Sequence, residues 1–312
     1  MQTKIFTFLS RDGKTQIHAV KWTPDDGRCS AVLQITHGMV EYIERYIPFA
    51  EYLTRQGYMV VGHDHLGHGE SIISRDCWGY FAAPRPSDTV VEDMHRLRTL
   101  TQKEVPELPY FMLGHSMGSF MLRKYLALYG EGLHGAIVMG TGFIPGAVTG
   151  AGLAVVKAMT AFKGGHYRSK TVAKMTNGSS YAKFDTTGTR PEDSWLTKDV
   201  DIVKAYYANP KCTYTFTLNG FQGLFEAVRH SCDAENAKRI PAQLPMLIVS
   251  GQDDPVGDLG VGVEKTYALY QQAGIRDLTC TLYEGDRHEI LNELDKEKVF
   301  ADIFAWMEAR RG

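Results

Sequence analysis

The pentad Gly114-His115-Ser116-Met117-Gly118 holds a serine between two glycines where an apolar run, "PYFML", gives way to a helical pattern, "MGSFMLRKYLALYG". A strand-to-helix turn of the form G-x-S-x-G is a sharp backbone reversal, and small residues on either side keep it clear of its neighbours. The hydroxyl then stands above the C-terminal end of the strand, where open parallel sheets keep their ligand crevice. The free N–H groups of the following helix point at the same spot. The chemistry this arrangement suits is attack by Ser116 on a carbonyl, with an oxyanion forming beside it.

A serine hydroxyl is a weak nucleophile until a base removes its proton. Among eleven histidines, His288 lies in the polar loop "YEGDRHEIL", between the last predicted strand and the last predicted helix. A chain order of Ser, then Asp, then His assigns the base to that loop. The carboxylate should follow the strand "MLIVSG", and the pattern G-x-x-D-P in "SGQDDP" selects Asp254, with Asp253 as the alternative. A carboxylate there orients the imidazole and stabilises its cation. An oxyanion also needs two fixed N–H donors. The backbone amide of Met117 follows the serine directly, and that of Met39 follows "THG" after an earlier strand. His37 reads as a hydrogen-bonded structural histidine.

These residues need a frame. An N-terminal hairpin turns at Arg11-Asp12-Gly13-Lys14 and is followed by alternating strand and helix signals. The strands are "AVLQITHG", "YMVVGHD", "YFMLG" and "HGAIVMG". Between them, "IPFAEYLTRQG" has helical spacing and a terminal glycine. "DTVVEDMHRLRTLTQKEV" puts Val91, Met94, Leu97 and Leu100 near one helical face, with Asp88 as N-cap. Such alternation predicts a parallel sheet covered on both faces. It stops near Gly142 and resumes at "LPMLIVSGQDD", with a helix over 258–273, a strand over 278–283 and a last helix over 292–310. Residues 143–240 are too many for a plain loop. The expected organisation is a core of 1–142 and 241–312 with 143–240 inserted as a mostly helical cap.

The chain has 312 residues, 44% hydrophobic and 22% charged, with a net charge of −2, the balance of a globular protein with no pull toward nucleic acid. Its five cysteines are odd in number and irregularly spaced, which predicts free thiols in a reducing compartment. The N-terminal stretch lacks the features of a signal peptide, and the apolar stretch over 143–162 is interrupted by glycines and Lys157. Both lead us to expect a cytoplasmic protein.

With these pieces placed, the chain resembles the monoacylglycerol lipase and lysophospholipase branch of the α/β-hydrolase fold over nearly its whole length. The resemblance rests on "HGMVEYIERY" (His37–Tyr46), "GHDHLGHGES" (Gly62–Ser71), "GHSMGS" (Gly114–Ser119), "SGQDDPVGD" (Ser250–Asp258) and "GDRHEILNE" (Gly285–Glu293). It implies an eight-stranded, mostly parallel sheet with helices on both faces and a helical cap. It implies the triad Ser116, Asp254 and His288, the oxyanion amides of Met39 and Met117, and no cofactor. It also implies a carboxylate, Glu41, and an arginine, Arg45, near the glycerol end of the pocket. There the carboxylate either accepts hydroxyl hydrogen bonds or forms a structural ion pair that shapes the oxyanion loop. Some members carry a second histidine soon after the catalytic one. Glu289-Ile290-Leu291 stands there in this chain, so that polar contact is expected to be missing. His63, Asp64, His65 and His68 are close enough in sequence to suggest zinc, but the resembling segment is a structural loop, and no metal is expected.

In the cap, "IPGAVTGAGLAVVKAMTAF" is apolar and rich in small residues, suited to an acyl-pocket wall or to transient contact with a membrane surface. "DSWLTKDVDIVKAYYANPKC" resembles a cap segment of the family, and Phe216, Phe221, Leu224 and Phe225 either extend the apolar wall or form core. The expected activity is hydrolysis of a monoacylglycerol through an acyl-enzyme. The rivals are a lysophospholipase, a general carboxylesterase, an aminopeptidase of the same fold, and a ligand-binding protein with poor turnover.

Overall fold

The structure, a computed structural model, describes all 312 residues, Met1–Gly312. In chain order its main elements are β1 (Gln2–Leu9), β2 (Gln16–Thr23), β3 (Ala31–Thr36), α1 (Ile47–Arg55), β4 (Tyr58–His63), α2 (Pro86–Glu104), β5 (Tyr110–His115), α3 (Met117–Tyr129) and β6 (Gly135–Met139). There follow α4 (Gly146–Lys163), α5 (Lys170–Met175), α6 (Val200–Ala208), α7 (Leu218–Ser231), α8 (Ala234–Ala237), β7 (Met246–Gly251), α9 (Val261–Ala273), β8 (Leu278–Tyr283) and α10 (Lys296–Glu308).

The strands form one sheet in the order β1-β2-β4-β3-β5-β6-β7-β8. β1 and β2 pair antiparallel, as do β2 and β4, and every later pair is parallel. Successive side chains on a strand point to opposite faces, and the central strands are apolar on both. Val32, Met59, Tyr110 and Ala136 pack on one face with α2, α3, α7 and α9. Leu33, Val60, Phe111 and Ile137 pack on the other, with α1 and α10. This is the eight-stranded, mostly parallel architecture with helices on both faces that the sequence predicts.

The register aligns the strand ends. Thr36 lies opposite Gly114, His115 opposite Met139, and Gly251 opposite Tyr283. The loops after β3, β5, β7 and β8 therefore emerge along one edge, and each carries a candidate residue. Between β6 and β7 run five helices, α4 to α8. Of these, α7 packs against α2 and α3 as well as α4, so it belongs to the layer covering the sheet. No helix is long and apolar enough to cross a membrane.

Three element boundaries correct the sequence reading. Helix α2 starts at Pro86 rather than Asp88, because proline at the first turn carries a helical φ and needs no N–H partner. Asp88 sits inside that turn and pairs with Lys124 at 2.5 Å. Helix α9 starts at Val261 rather than Asp258, because Asp258, Leu259 and Gly260 adopt left-handed φ values of 52°, 54° and 93°. Helix α10 spans Lys296–Glu308 rather than 292–310, after a single 3-10 turn over Ile290–Asn292.

Candidate active site

Ser116 ends β5 and caps α3, with φ 54° and ψ −122°. A non-glycine residue at positive φ stores about 1–3 kcal/mol of strain that its surroundings must hold in place. Both glycines of the pentad make the turn feasible. A Cβ on Gly118 would lie 2.1 Å from the Thr36 carbonyl oxygen, and one on Gly114 would lie 2.4 Å from that of Gly118. The Ser116 N–H donates to the Met139 carbonyl at 3.0 Å, which ties the turn to the neighbouring strand.

His288 and Asp254 come from loops following β8 and β7. The His288 Nδ1 lies 3.0 Å from both carboxylate oxygens of Asp254. Asp254 is fully buried and accepts further bonds from the Val256 N–H at 2.8 Å and the Ser250 hydroxyl at 2.9 Å. Burial pushes its carboxyl pKa up, but the His288 ring and these donors outweigh that and hold it below the ordinary value. Asp253 points the other way, to a surface pair with Lys183 at 3.1 Å. A Cβ on Gly140 would lie 3.2 Å from the His288 Cε1, so a side chain there would crowd the imidazole.

Ser116, His288, Met39 and Met117 all line one cavity of about 800 Å³ beneath the inserted segment. The N–H groups of Met39 and Met117 have no hydrogen-bond acceptor within the protein. For Met117 this follows from its place in the first turn of a helix, where N–H groups lack intrahelical partners. The loop carrying Met39 is held open by Val40, at φ 57°, whose carbonyl accepts the Tyr206 hydroxyl at 3.1 Å.

Beside the serine lies a buried quartet of charges. One oxygen of Glu41 accepts the Gly38 N–H, the Tyr46 hydroxyl at 3.0 Å and the His115 Nδ1–H at 3.1 Å. Its other oxygen takes Arg45 at 2.9 Å. The Arg45 guanidinium meets both oxygens of Glu289 at 2.6 Å and stacks over the Tyr206 ring. The His115 Nε2 faces the His288 carbonyl at 3.2 Å. Both partners of His115 are acceptors, an arrangement that favours the doubly protonated ring. Burial alone would lower the His115 pKa, but the bond to Glu41 and its charge raise it overall. Glu41 is driven the opposite way: burial raises its pKa, yet His115 and Arg45 hold it well below the carboxylate range. Two carboxylates thus meet Arg45 and the His115 ring inside the protein.

Glu289, which stands where some relatives are expected to carry a second histidine, is turned to Arg45. His115 and Glu289 were missed as site residues although each adjoins a residue singled out by motif. A motif marks the nucleophile and the base but says nothing of a charge facing inward. Trp195, whose ring lies against His288, carried no sequence signal of that contact, since 93 residues separate them.

The histidines around the end of β4, His63, His65 and His68, are buried beside His37. His37 donates through Nδ1 to the Gly38 carbonyl at 2.7 Å and accepts the His65 N–H at Nε2 at 2.9 Å, which fixes one neutral tautomer. Burial and the neighbouring histidines push its pKa well down. Asp64 accepts the N–H groups of Ile43 and Glu70 at 2.8 Å each, closing the loop.

In the inserted segment, Val148, Thr149 and Gly152 of α4 line the cavity, while Val155 and Phe162 face solvent. Leu224 and Phe225 of α7 line it too, whereas Phe216 and Phe221 are buried in the core. A hydroxyl-rich arc, Thr176, Ser179, Ser180, Thr186 and Thr187, completes the wall.

Residues 27–295 match the model of a family described as serine aminopeptidase, S33. The chain is 27% identical over 287 residues to the monoacylglycerol lipase of Mycolicibacterium smegmatis, spanning 92% of this chain and 90% of that one. It is 25% identical over 292 residues to the monoglyceride lipase of Rattus norvegicus, spanning 93% and 86%. Among solved structures, a thermostable carboxyl esterase from Bacillus coagulans, determined in complex with glycerol, superposes with a TM-score of 0.91 at 28% identity over 100% of both chains.

Proposed function

The chain belongs to the serine aminopeptidase, S33, family of α/β-hydrolases, and from that premise we propose that it hydrolyses monoacylglycerols to fatty acid and glycerol. Ser116 Oγ attacks the ester carbonyl as His288 Nε2 takes its proton, and Asp254 stabilises the imidazolium. The negative charge on the carbonyl oxygen is received by the Met39 and Met117 amides, whose N–H groups have no other acceptor. His288 returns the proton to the departing glycerol oxygen. A water then repeats the sequence on the acyl-Ser116 ester and frees the acid. Glu41 and Arg45 act less on the glycerol than on the loop between His37 and Tyr46, because protein donors already occupy the Glu41 carboxylate.

The observation that carries the substrate reading is the cavity lining. It holds Phe143, Ile144, Val148, Leu224, Phe225 and Val228 together with neutral hydroxyls, and no lysine or arginine. An apolar wall suits an acyl chain, and hydroxyls suit a polyol. A lysophospholipid would bring a phosphate with no cation to meet it. Lys163, Arg168 and Lys170 all lie off the lining; Arg168 is turned to the backbone carbonyls of Thr215 and Asp76. A peptide amine would need a carboxylate beside Ser116; Glu41 and Glu289 are both bound to Arg45, which leaves the exposed Asp258 as the one carboxylate on the lining without an ion-pair partner.

We further read residues 143–240, apart from α7 in the layer on the sheet, as the cap over this cavity, and the exposed side of α4 that carries Val155 and Phe162 as the part that touches a lipid surface. Five free cysteines agree with a cytoplasmic setting.

The test is glycerol release from monooleoylglycerol by the wild type and by Ser116→Ala, with lysophosphatidylcholine assayed in parallel. Release by the wild type alone, with the neutral ester preferred, is the expected result. A folded wild type that spares monooleoylglycerol but cleaves lysophosphatidylcholine overturns the assignment.

A further inference from the structure

The loop that carries His288 is bound to the inserted segment along its length. The His288 N–H donates to the Trp195 carbonyl at 3.3 Å, and the Glu289 N–H to that of Leu196 at 2.7 Å. The Thr197 hydroxyl donates to the Asn292 carbonyl at 2.9 Å, and the Lys198 ammonium pairs with Asp286 at 2.8 Å. Arg287 reaches back to the Ser194 carbonyl at 2.5 Å. Two chain segments about ninety residues apart thus run side by side as one unit, so this part of the insertion is fixed to the catalytic base.

The His288 ring has two aromatic neighbours. The Trp195 ring stacks on it, with ring centroids 4.9 Å apart and planes 29° apart. The His115 ring is tilted to it, at 4.7 Å and 39°. A proton on His115, favoured by Glu41, opposes a positive charge on His288. Trp195 presents an indole face, whose negative quadrupole attracts a cation.

We propose that Trp195 is a positioning residue for catalysis, holding the His288 imidazole toward Ser116 and stabilising the imidazolium that forms when Ser116 gives up its proton. The proposal rests on the ester-hydrolase reading above. The imidazolium forms as Ser116 gives up its proton, so the indole face acts on the transition state more than on substrate binding. Its removal lowers kcat and leaves KM nearly unchanged. A stacked cation on indole is worth about ten-fold in rate.

The experiment compares wild type, Trp195→Leu and Trp195→Phe on a short, water-soluble p-nitrophenyl ester, which does not need the far wall of the cavity. The rate of Ser116 labelling by a fluorophosphonate is measured beside it. The leucine variant should lose about ten-fold in kcat and in labelling rate, with KM within about two-fold. Phenylalanine should restore most of both. Unchanged kcat and labelling in Trp195→Leu, with only KM for long-chain substrates raised, overturns the proposal and leaves Trp195 a wall of the cavity. If the leucine variant fails to show the wild-type circular dichroism, Trp195→Met is measured in its place against the same two outcomes. A wild type that is labelled at Ser116 yet hydrolyses no ester defeats the substrate reading alone, and the labelling rates still decide the role of Trp195.

Discussion

Arg45 meets Glu289 through two parallel N–H···O contacts of 2.6 Å, joining the loop after β3 to the loop after β8 across 244 residues of sequence. The first loop carries the Met39 amide and the second carries His288, so the spacing between oxyanion donor and base runs through this pair. The third charge, Glu41, binds the same guanidinium and the Gly38 N–H.

Removing the arginine therefore strands two buried carboxylates. Arg45→Met should destabilise the fold by about 3–5 kcal/mol, the usual result of breaking a buried pair from one side. Urea unfolding measures this. The double change Arg45→Met with Glu289→Leu should recover part of the loss, since one of the two stranded charges is gone. No recovery would mean that Glu289 is not the partner that matters.

The Glu41–His115 pair sets a pH window. Glu41 has a depressed pKa in the folded state, so its contribution is present above its ordinary value of 4.5 and is lost as pH falls below it. His115 has a raised pKa, so its contribution is full below its ordinary value of 6.5 and is lost as pH rises through the folded value. Both are in force between those two ordinary values. The stability difference between wild type and His115→Gln, measured by urea unfolding, should be largest near pH 5.5 and shrink by pH 9. A difference that grows toward pH 9 would contradict a cationic His115.

Asp254 has both oxygens committed to His288 and two local donors. Asp254→Asn should cut kcat by about 10⁴-fold while leaving KM little changed, because an amide favours the wrong imidazole tautomer. Asp253→Asn, which alters only a surface pair with Lys183, should keep near-wild-type kcat. Equal losses in both variants would remove the distinction drawn between them.

Phe162 is 88% exposed at the C-terminal end of α4. Phe162→Asp should weaken co-sedimentation with phosphatidylcholine vesicles and slow hydrolysis of vesicle-borne monooleoylglycerol, with turnover of a soluble short-chain ester unchanged. If soluble and vesicle-borne substrates are affected alike, the side chain acts through the fold and not through a lipid surface.

What could be read from the chain alone were features written locally. The pentad around Ser116 needs glycine at 114 and 118 because any Cβ there would strike the backbone, and this requirement is visible in five residues. The doubly apolar strands and the interrupted alternation between Gly142 and Leu244 likewise show in composition and period. Helix starts were less legible, since the left-handed run at Asp258 to Gly260 leaves no polarity signal. What only the tertiary structure decided are the relations between distant segments. The G-x-x-D-P pattern selects Asp254 over its neighbour, but that Asp253 turns to Lys183 while Asp254 meets His288 follows from the direction of the loop after β7. Glu289 looks like any polar residue beside a histidine until the sheet register brings Arg45 to it. Trp195 looks like cap packing until the inserted segment is laid along the histidine loop. Side-chain identity and local spacing determine what each residue can do, whereas partner choice among buried charges and rings depends on geometry accumulated over the whole chain.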